Sequence, residues 1–273
     1  MKNTLTAALL LALATSPALA ADNATVAPVD TAITVDHAPH PFNVRDLVMM
    51  RRVSDPQLSA DGRYAAFGVR STDYAANKGV NAIAVLDLSH DGQPVTVVEK
   101  GASSPRWSAD GKSLYYVAAA SGVAQLWRLD FAADRNGLDL ASHKAPVQVS
   151  HGVLDIQDYK LAPDGKSVLL SYAVFADCGT LACTKAKQDR RAADKASGTI
   201  YKKLFVRHWD TWANGRRNQL FVASFDGKGQ LAAEPKLLSR GIDGDVPSKP
   251  FGDEGEFAFA PDGKSVYFDV RIA

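Results

Sequence analysis

The sequence has little that would mark a specialised chemistry. It holds two cysteines in 273 residues, and its 31 basic and 30 acidic residues nearly balance, giving a formal charge of +1. This balance excludes the strong positive field that is typical of nucleic-acid-binding proteins. A hydrophobic content of 46% and a charged content of 22% are those of an ordinary globular protein. We therefore expect no nucleic-acid partner.

Sequence motifs of common catalytic sites are also absent. The chain has no Gly-x-Ser-x-Gly nucleophile elbow, no His-Glu-x-x-His metal motif and no glycine-rich phosphate or dinucleotide loop. Its Gly-x-Ser tripeptides begin at Gly101, Gly111, Gly165 and Gly263. Three of these lie in predicted hairpins, whereas a nucleophile elbow joins a strand to a helix. We therefore predict no catalytic, cofactor-binding or metal-binding residue in this chain.

Long apolar runs are missing except at the start of the chain. Residues 1–20 contain Lys2, an apolar run from Leu5 to Leu13 and the ending Ala18-Leu19-Ala20, which together are typical of a secretory signal peptide. A membrane anchor is the alternative, but a spanning helix takes about 20 apolar residues. The pattern predicts cleavage after Ala20, export to the periplasm or the exterior, and no membrane contact afterwards.

The two cysteines, Cys178 and Cys183, lie close together in ADCGTLACTK. In an oxidising compartment, a local disulfide is favoured over two free thiols. A structural zinc site would take about four ligands, and no histidine lies nearby.

Residues 21–41 mix small, polar and proline residues without periodicity, so they predict a flexible lead. Asn43 is a suitable cap for a short helix through Met50, and Asp46 favours the positive start of that helix. Pro56 ends any helical continuation.

A twelve-residue cassette recurs four times along the remaining chain. The copies read LSADGRYAAFGV, WSADGKSLYYVA, LAPDGKSVLLSY and FAPDGKSVYFDV. Glycine accepts the positive φ of a tight turn, and the alternating apolar residues after it predict a strand. Each copy is therefore predicted to be a β-hairpin, with a type I turn favoured and a two-residue turn left open. The turn residues are Asp61, Gly62, Asp110, Gly111, Asp164, Gly165, Asp262 and Gly263.

The spacing of the cassettes predicts an all-β fold, a β-propeller of four-stranded blades. The turn aspartates are 49, 54 and 98 residues apart, and one blade takes about 40 to 50 residues. The last interval fits either two blades or one enlarged blade. A second turn decides for one blade, because Asp226-Gly227 follows Asp164 by 62 residues, whereas Asp91-Gly92 follows Asp61 by 30.

The enlarged third blade is therefore predicted to carry a partly helical insertion at about 173–206. Residues 42–273 then supply three blades and the first hairpin of a fourth. A propeller closes its ring with at least four blades. We expect the chain to be the amino-terminal part of a longer protein.

One dense set of large polar and aromatic residues precedes a predicted strand: Arg207, His208, Trp209, Asp210 and Trp212. These residues would line a substrate cavity or a domain interface. The alternative, which the pattern alone favours, is that the tryptophans fill space between neighbouring blades while the charges pair locally. The acidic stretch from Asp243 to Glu256 lacks the spacing of a helix-loop-helix calcium site, so no metal is predicted there.

Several stretches resemble the amino-terminal half of exported bacterial serine peptidases of the prolyl oligopeptidase family. They are FNVRDLVMMRRVSDPQLSADG, ADCGTLACTKAK, YKKLFVRHWDTWANGRRNQLFV and GIDGDVPSKPFG, together with the cassettes. The likeness is to the dipeptidyl-peptidase and acylaminoacyl-peptidase-like branch. The cassette is shared with other periplasmic propellers, whereas the stretch around Arg207 is far more specific.

The resemblance implies a propeller that limits access of oligopeptides to a carboxy-terminal α/β-hydrolase domain with a Ser-Asp-His triad. That domain is absent from this sequence, and no residue here matches the triad. The chain alone is therefore expected to be inactive, with peptide substrate and the hydrolase domain as partners of the full-length enzyme. The alternative function is a periplasmic propeller that acts as a protein-interaction module without catalysis.

Overall fold

The computed structural model describes residues 38–196, 198–202, 204 and 206–272. The predicted signal peptide and most of the predicted lead lie outside this range. The first element is helix α1, Val44–Met49, which is capped as predicted: the Asn43 side chain accepts from the backbone N–H of Arg45, and the Asp46 carboxylate accepts from the backbone N–H of Asn43. No helix in the described ranges is both long and apolar enough to cross a membrane.

The first sheet is an antiparallel meander in the order β1-β2-β3-β4. Its strands are β1 Arg52–Leu58, β2 Tyr64–Asp73, β3 Lys78–Asp87 and β4 Val95–Val98.

The second sheet repeats this order with one addition. Its strands are β5 Ala102–Trp107, β6 Ser113–Ala118, β7 Gln125–Asp134, β8 Gly137–His143 and β9 Val147–Gln148. The first half of β7 pairs with β9 and its second half pairs with β8. A four-stranded unit, β5-β6-β7-β9, therefore carries β8 as an extension.

The third sheet has the order β10-β11-β14-β15. Its strands are β10 Ile156–Leu161, β11 Ser167–Phe175, β14 Arg216–Ser224 and β15 Lys236–Leu237. Between β11 and β14 lie α2 Leu181–Ala193, β12 Arg207–His208 and β13 Thr211–Trp212. The pairing of β11 with β14 extends to Phe175 and Arg216. The insertion therefore occupies 176–215, a later range than the predicted 173–206, and it is partly helical as predicted.

The remaining elements form a hairpin and a short ladder. They are β16 Gly244–Asp245, a 3-10 turn at Glu254–Glu256, β17 Phe257–Phe259, β18 Val266–Phe268 and β19 Arg271–Ile272. β17 pairs with β18, and β16 pairs with β19. The mostly-β class is confirmed within the described residues. The blade number and the closure of a ring stay predictions.

All four cassette turns have the same geometry. The glycines have φ between 67° and 71°, and the aspartate of each turn accepts from the backbone N–H two residues later, for example Lys112 N to Asp110 Oδ1 at 3.1 Å. The predicted left-handed glycine is confirmed, and a backbone bond from its N–H to the carbonyl three residues earlier closes each turn. In two copies a serine hydroxyl also donates to the aspartate, and the Ser59 bond lowers the pKa of Asp61.

Successive sheets pack face to face through separate apolar clusters. In β6, Leu114 and Tyr116 pack toward the first sheet, whereas Tyr115 and Val117 pack toward the third. In β11, alternate residues likewise divide between the second sheet and the last hairpin, with Leu169 on the hairpin side. Both central strands are apolar almost throughout because both of their faces are buried.

The insertion is fixed to the end of β11. The predicted Cys178–Cys183 disulfide is present, with an S–S distance of 2.07 Å. The Thr180 side chain caps α2, and the Thr184 hydroxyl accepts from the backbone N–H of Phe175 at 3.2 Å. These contacts join the first turn of α2 to the sheet. Of the basic residues in this helix, Arg190 and Arg191 are exposed as predicted, whereas Lys185 and Lys187 are half-buried.

Replacing Gly111 by alanine should lower the free energy of unfolding by about 1 kcal/mol, because an L side chain is strained at positive φ. A Cβ at this position would meet no atom within 4 Å, so the substitution introduces backbone strain without a steric clash. Gly227→Ala is the matched control, since that glycine is equally uncrowded but lies outside the positive-φ region. Urea unfolding measures both variants. Equal effects of the two would contradict the turn assignment.

Candidate functional site

The predicted site residues lie on a short hairpin that projects from the insertion. β12 pairs with β13 through Arg207 opposite Trp212 and His208 opposite Thr211, so Trp209 and Asp210 form the turn. A further backbone bond from Ala213 N to Val206 O, at 2.9 Å, closes the base of the hairpin. The structure thus brings all five predicted residues onto one hairpin.

A residue from another part of the chain completes this group. Phe251, in the segment between β16 and β17, lies 5.5 Å from the Trp209 ring and 6.0 Å from the His208 ring, measured between centroids. On the other strand, Tyr201 stacks on Trp212 at 5.9 Å, and the Arg207 guanidinium lies 5.3 Å from the Trp212 centroid. We call this set the aromatic surface: Tyr201, Arg207, His208, Trp209, Trp212 and Phe251.

The aromatic surface is open to solvent. Trp209 is 73% exposed, Trp212 is 55% exposed and Phe251 is 72% exposed. The interpretation that the tryptophans fill space between sheets is therefore wrong. Their placement beside a substrate cavity or a domain interface stays a prediction. Phe251 was not singled out from the sequence, although its stretch, GIDGDVPSKPFG, carried the family resemblance together with the hairpin.

The segment that carries Phe251 is anchored by a buried ionic network. Asp245, which is nearly buried, accepts from the backbone N–H of Asn218 at 2.7 Å and pairs with Arg217 and Lys249 at 3.1 and 3.2 Å. Burial lowers the pKa of Lys249, and the Asp245 carboxylate opposes that effect. This network fixes the start of the Phe251 segment against β14.

The carboxylates of the acidic stretch are engaged with protein groups. Asp243 pairs with Arg217, and Glu256 accepts from the backbone N–H and the hydroxyl of Ser248 at 2.7 and 2.6 Å. Asp253 accepts from the backbone N–H of Gly255. These bonds give each of these carboxylates a structural role.

A second charged cluster, which sequence reasoning missed, joins the first strands of the sheets. Arg106 on β5 pairs with Asp55 on β1 and with Glu254 before β17, both at 2.7 Å, and its side chain is only 11% exposed. One guanidinium therefore connects the first sheet, the second sheet and the segment before the last hairpin. The missed signal is that a charged residue stands in the strand that leads into each of three cassettes, at Asp55, Arg106 and Asp158.

Asp158, on β10, lies within the electrostatic range of this cluster. Burial raises its pKa to about 7; the nearby Glu254 and Asp253 carboxylates add to this effect, while Arg106 and a hydrogen bond from the Tyr159 backbone N–H oppose it. Asp158 follows a register shift in β10, and comparable shifts occur in β1 and β5. The cluster therefore holds a carboxyl group that titrates near neutral pH.

No protein-family model matches the chain. Curated relatives do match it. Dipeptidyl-peptidase 5 of Porphyromonas gingivalis is 26% identical over 223 residues, which cover 81% of this chain and 30% of that protein. Dipeptidyl-peptidase 5 of Arthroderma otae is 25% identical over 242 residues, which cover 83% of this chain and 31% of that protein.

The chain is related to peptidases of the prolyl oligopeptidase family. The resemblance seen in the sequence is thereby confirmed. The chain spans about a third of the length of the curated relatives it matches, with 30 to 31% covered.

Two solved structures are also similar. Acylaminoacyl peptidase of Pyrococcus horikoshii has a TM-score of 0.45 and 17% identity, with 74% of this chain and 27% of that chain covered. The propeller domain of the trilobed protease of Pyrococcus furiosus has a TM-score of 0.32 and 16% identity, with 81% of this chain and 70% of that chain covered.

Replacing Arg106 by methionine should lower the free energy of unfolding by about 2 kcal/mol, because two partly buried carboxylates would lose their charged partner. Urea unfolding is the measurement. Arg135→Met removes an exposed arginine at the β7–β8 turn and serves as the control. A loss no larger than that of the control would show that the cluster does not connect the sheets.

Asp158→Asn should remove a pH dependence of stability. Because the native carboxyl binds its proton more tightly than the unfolded one, its contribution is full below about pH 4 and is lost as the pH rises to about 7. The amide keeps an oxygen for the Tyr159 N–H but cannot ionise. We expect the variant to have a higher Tm than the parent at pH 8 and a similar Tm at pH 4.

Thermal unfolding across this pH range measures the difference. Asp91→Asn, at an exposed aspartate in the β3–β4 connection, is the control. A difference between Asp158→Asn and the parent that stays constant from pH 4 to pH 8 would contradict the assignment.

Proposed function

We propose that this chain is the substrate-facing propeller part of an exported serine peptidase that hydrolyses oligopeptides. Hydrolysis is performed by a nucleophile, a base and an oxyanion pocket outside this sequence. The chain limits which peptides reach that site and takes part in holding them. Its sheets act as the blades of the propeller, and its first twenty residues direct export.

One observation carries the proposal: the similarity to dipeptidyl-peptidase 5 proteins covers over four fifths of this chain and under a third of theirs. Those relatives are named as dipeptidyl-peptidases, so a segment shared with them is expected to serve a peptidase. The sequence itself lacks the Gly-x-Ser-x-Gly elbow. Catalysis and the shared segment are therefore assigned to different parts of one enzyme.

The geometry supports a role in holding and selecting peptides. Sheets that pack face to face and are joined by Arg106 give a rigid support for connecting segments. On that support, the aromatic surface presents exposed rings beside a cation. Large aromatic groups and arginine are the side chains that dominate recognition surfaces.

The alternative is an interaction module that works without any hydrolase. The exposed rings of Trp209 and Phe251 favour it as well, because a surface of this kind also fits a protein partner. The two functions differ in whether a hydrolase accompanies the chain.

The test is the gene itself, together with an assay. We expect the DNA after the last codon, in frame or in a neighbouring frame, to encode a Gly-x-Ser-x-Gly segment. The longer protein should release dipeptides from chromogenic substrates and be blocked by a serine-directed inhibitor. The 273-residue chain should show no turnover.

Two outcomes would overturn the proposal. An authentic stop codon with no such segment downstream would favour the interaction module. Turnover by the chain alone, abolished by a serine-directed inhibitor, would show that catalytic residues were missed in this sequence.

A further inference from the structure

Trp209 occupies a backbone position that disfavours it. Its φ is +46°, in the left-handed region, where asparagine and glycine are the ordinary residues of a hairpin turn. A tryptophan at this position is strained, and its ring is 73% exposed, so burial does not offset the strain. Neither turn chemistry nor core packing explains this side chain, and strained, exposed groups of this kind are found at binding sites.

The ring is nevertheless held in a defined place. His208 lies 4.8 Å from it and Phe251 lies 5.5 Å from it in an edge-on arrangement. Phe251 belongs to the segment anchored by Asp245, so contacts from two separate parts of the chain orient the indole. A ring oriented in this way presents apolar area to a ligand with little loss of conformational entropy.

Arg207 supplies the charged half of the surface. Its guanidinium lies over the Trp212 ring at 5.3 Å, and the described part of the chain contains no carboxylate paired with it within 4.0 Å. A guanidinium stacked on an aromatic ring uses its face for that contact and leaves its in-plane N–H groups available. Those groups match the two oxygens of a carboxylate.

We propose that the aromatic surface binds the carboxy-terminal end of short peptides, with Arg207 on the terminal carboxylate and Trp209 and Phe251 against an apolar last side chain. This inference rests on the proposed function, because oligopeptide substrates all carry a terminal carboxylate whatever their sequence. A surface that recognises this group would retain short peptides without selecting strongly among their inner residues.

The test is calorimetric titration of the 273-residue chain without its first twenty residues, which uses binding and no catalysis. The probes are N-acetyl-Gly-Gly-Phe and its carboxamide. We expect the free acid to bind and the carboxamide to bind about tenfold more weakly, since it cannot form the charge-assisted hydrogen bonds. N-acetyl-Gly-Asp-Phe carboxamide carries its carboxylate on a side chain and should bind no better than the simple carboxamide.

Arg207→Gln should weaken binding of the free acid about tenfold and leave binding of the carboxamide unchanged. Arg135→Gln, the same change at the exposed β7–β8 turn, should affect neither. Equal binding of acid and carboxamide by the parent chain would overturn the proposal.

Trp209→Asn separates binding from folding. Asparagine tolerates the left-handed conformation, so this variant should have an unchanged or higher Tm than the parent while binding the free acid at least about fivefold more weakly. A purely structural tryptophan would give the opposite result, a lower Tm with unchanged binding, and that result would overturn the proposal.

Other occupants of the surface give distinct results. A dimer in sedimentation velocity that Trp209→Asn abolishes would mean that a second copy covers the surface. Loss of peptide binding in the longer protein, with reduced iodide quenching of tryptophan, would mean that another domain covers it. Either result would overturn this inference and leave the proposed peptidase role standing, whereas a stop codon without a hydrolase segment would remove that role and leave peptide binding measurable.

Discussion

The burial of both faces of the central strands is the constraint on which the rest of the structure depends. β6 and β11 are apolar on successive positions, so each must have a neighbouring sheet on either side. That requirement orders the sheets along the chain and brings their first strands together. In this arrangement Arg106 reaches Asp55 in the first sheet and Glu254 beside the last hairpin.

The same arrangement explains where the aromatic surface lies. The insertion leaves the third sheet at the end of β11 and returns at the start of β14, where these strands still pair. The segment with Phe251 begins at β16, which the bond from Asn218 to Asp245 holds against β14. Two excursions from neighbouring units thus emerge at the same end of one strand pair, and their aromatic side chains meet there.

Local chemistry could be predicted from the sequence because it is carried by adjacent residues. The Asp-Gly turns, the Asn43 cap, the Cys178–Cys183 bridge and the division of cassettes into sheets all follow from short-range patterns. The end of β11 could not be placed as well, since the apolar residues continue through Phe175 without a turn signal. The insertion therefore begins and ends later than predicted.

Contacts between distant segments could not be predicted in the same way. Arg106 and Glu254 are far apart in the sequence, and the residues around each of them do not indicate that the two side chains pair. Phe251 and Trp209 meet only because two loops emerge together. The exposure of the tryptophans could not be predicted for a related reason. Large apolar residues are usually buried, and sequence alone does not show that this hairpin projects from its sheet.

The contacts between the sheets also have an energetic consequence. The apolar clusters join each described sheet to the next one along the chain, and the Arg106–Glu254 pair also joins the second sheet to the segment before the last hairpin, so several interfaces contribute to stability together. Since Trp209 lies in the insertion of the third sheet and Phe251 lies in the segment before the last hairpin, a molecule bound to both rings would add a further connection between these two units.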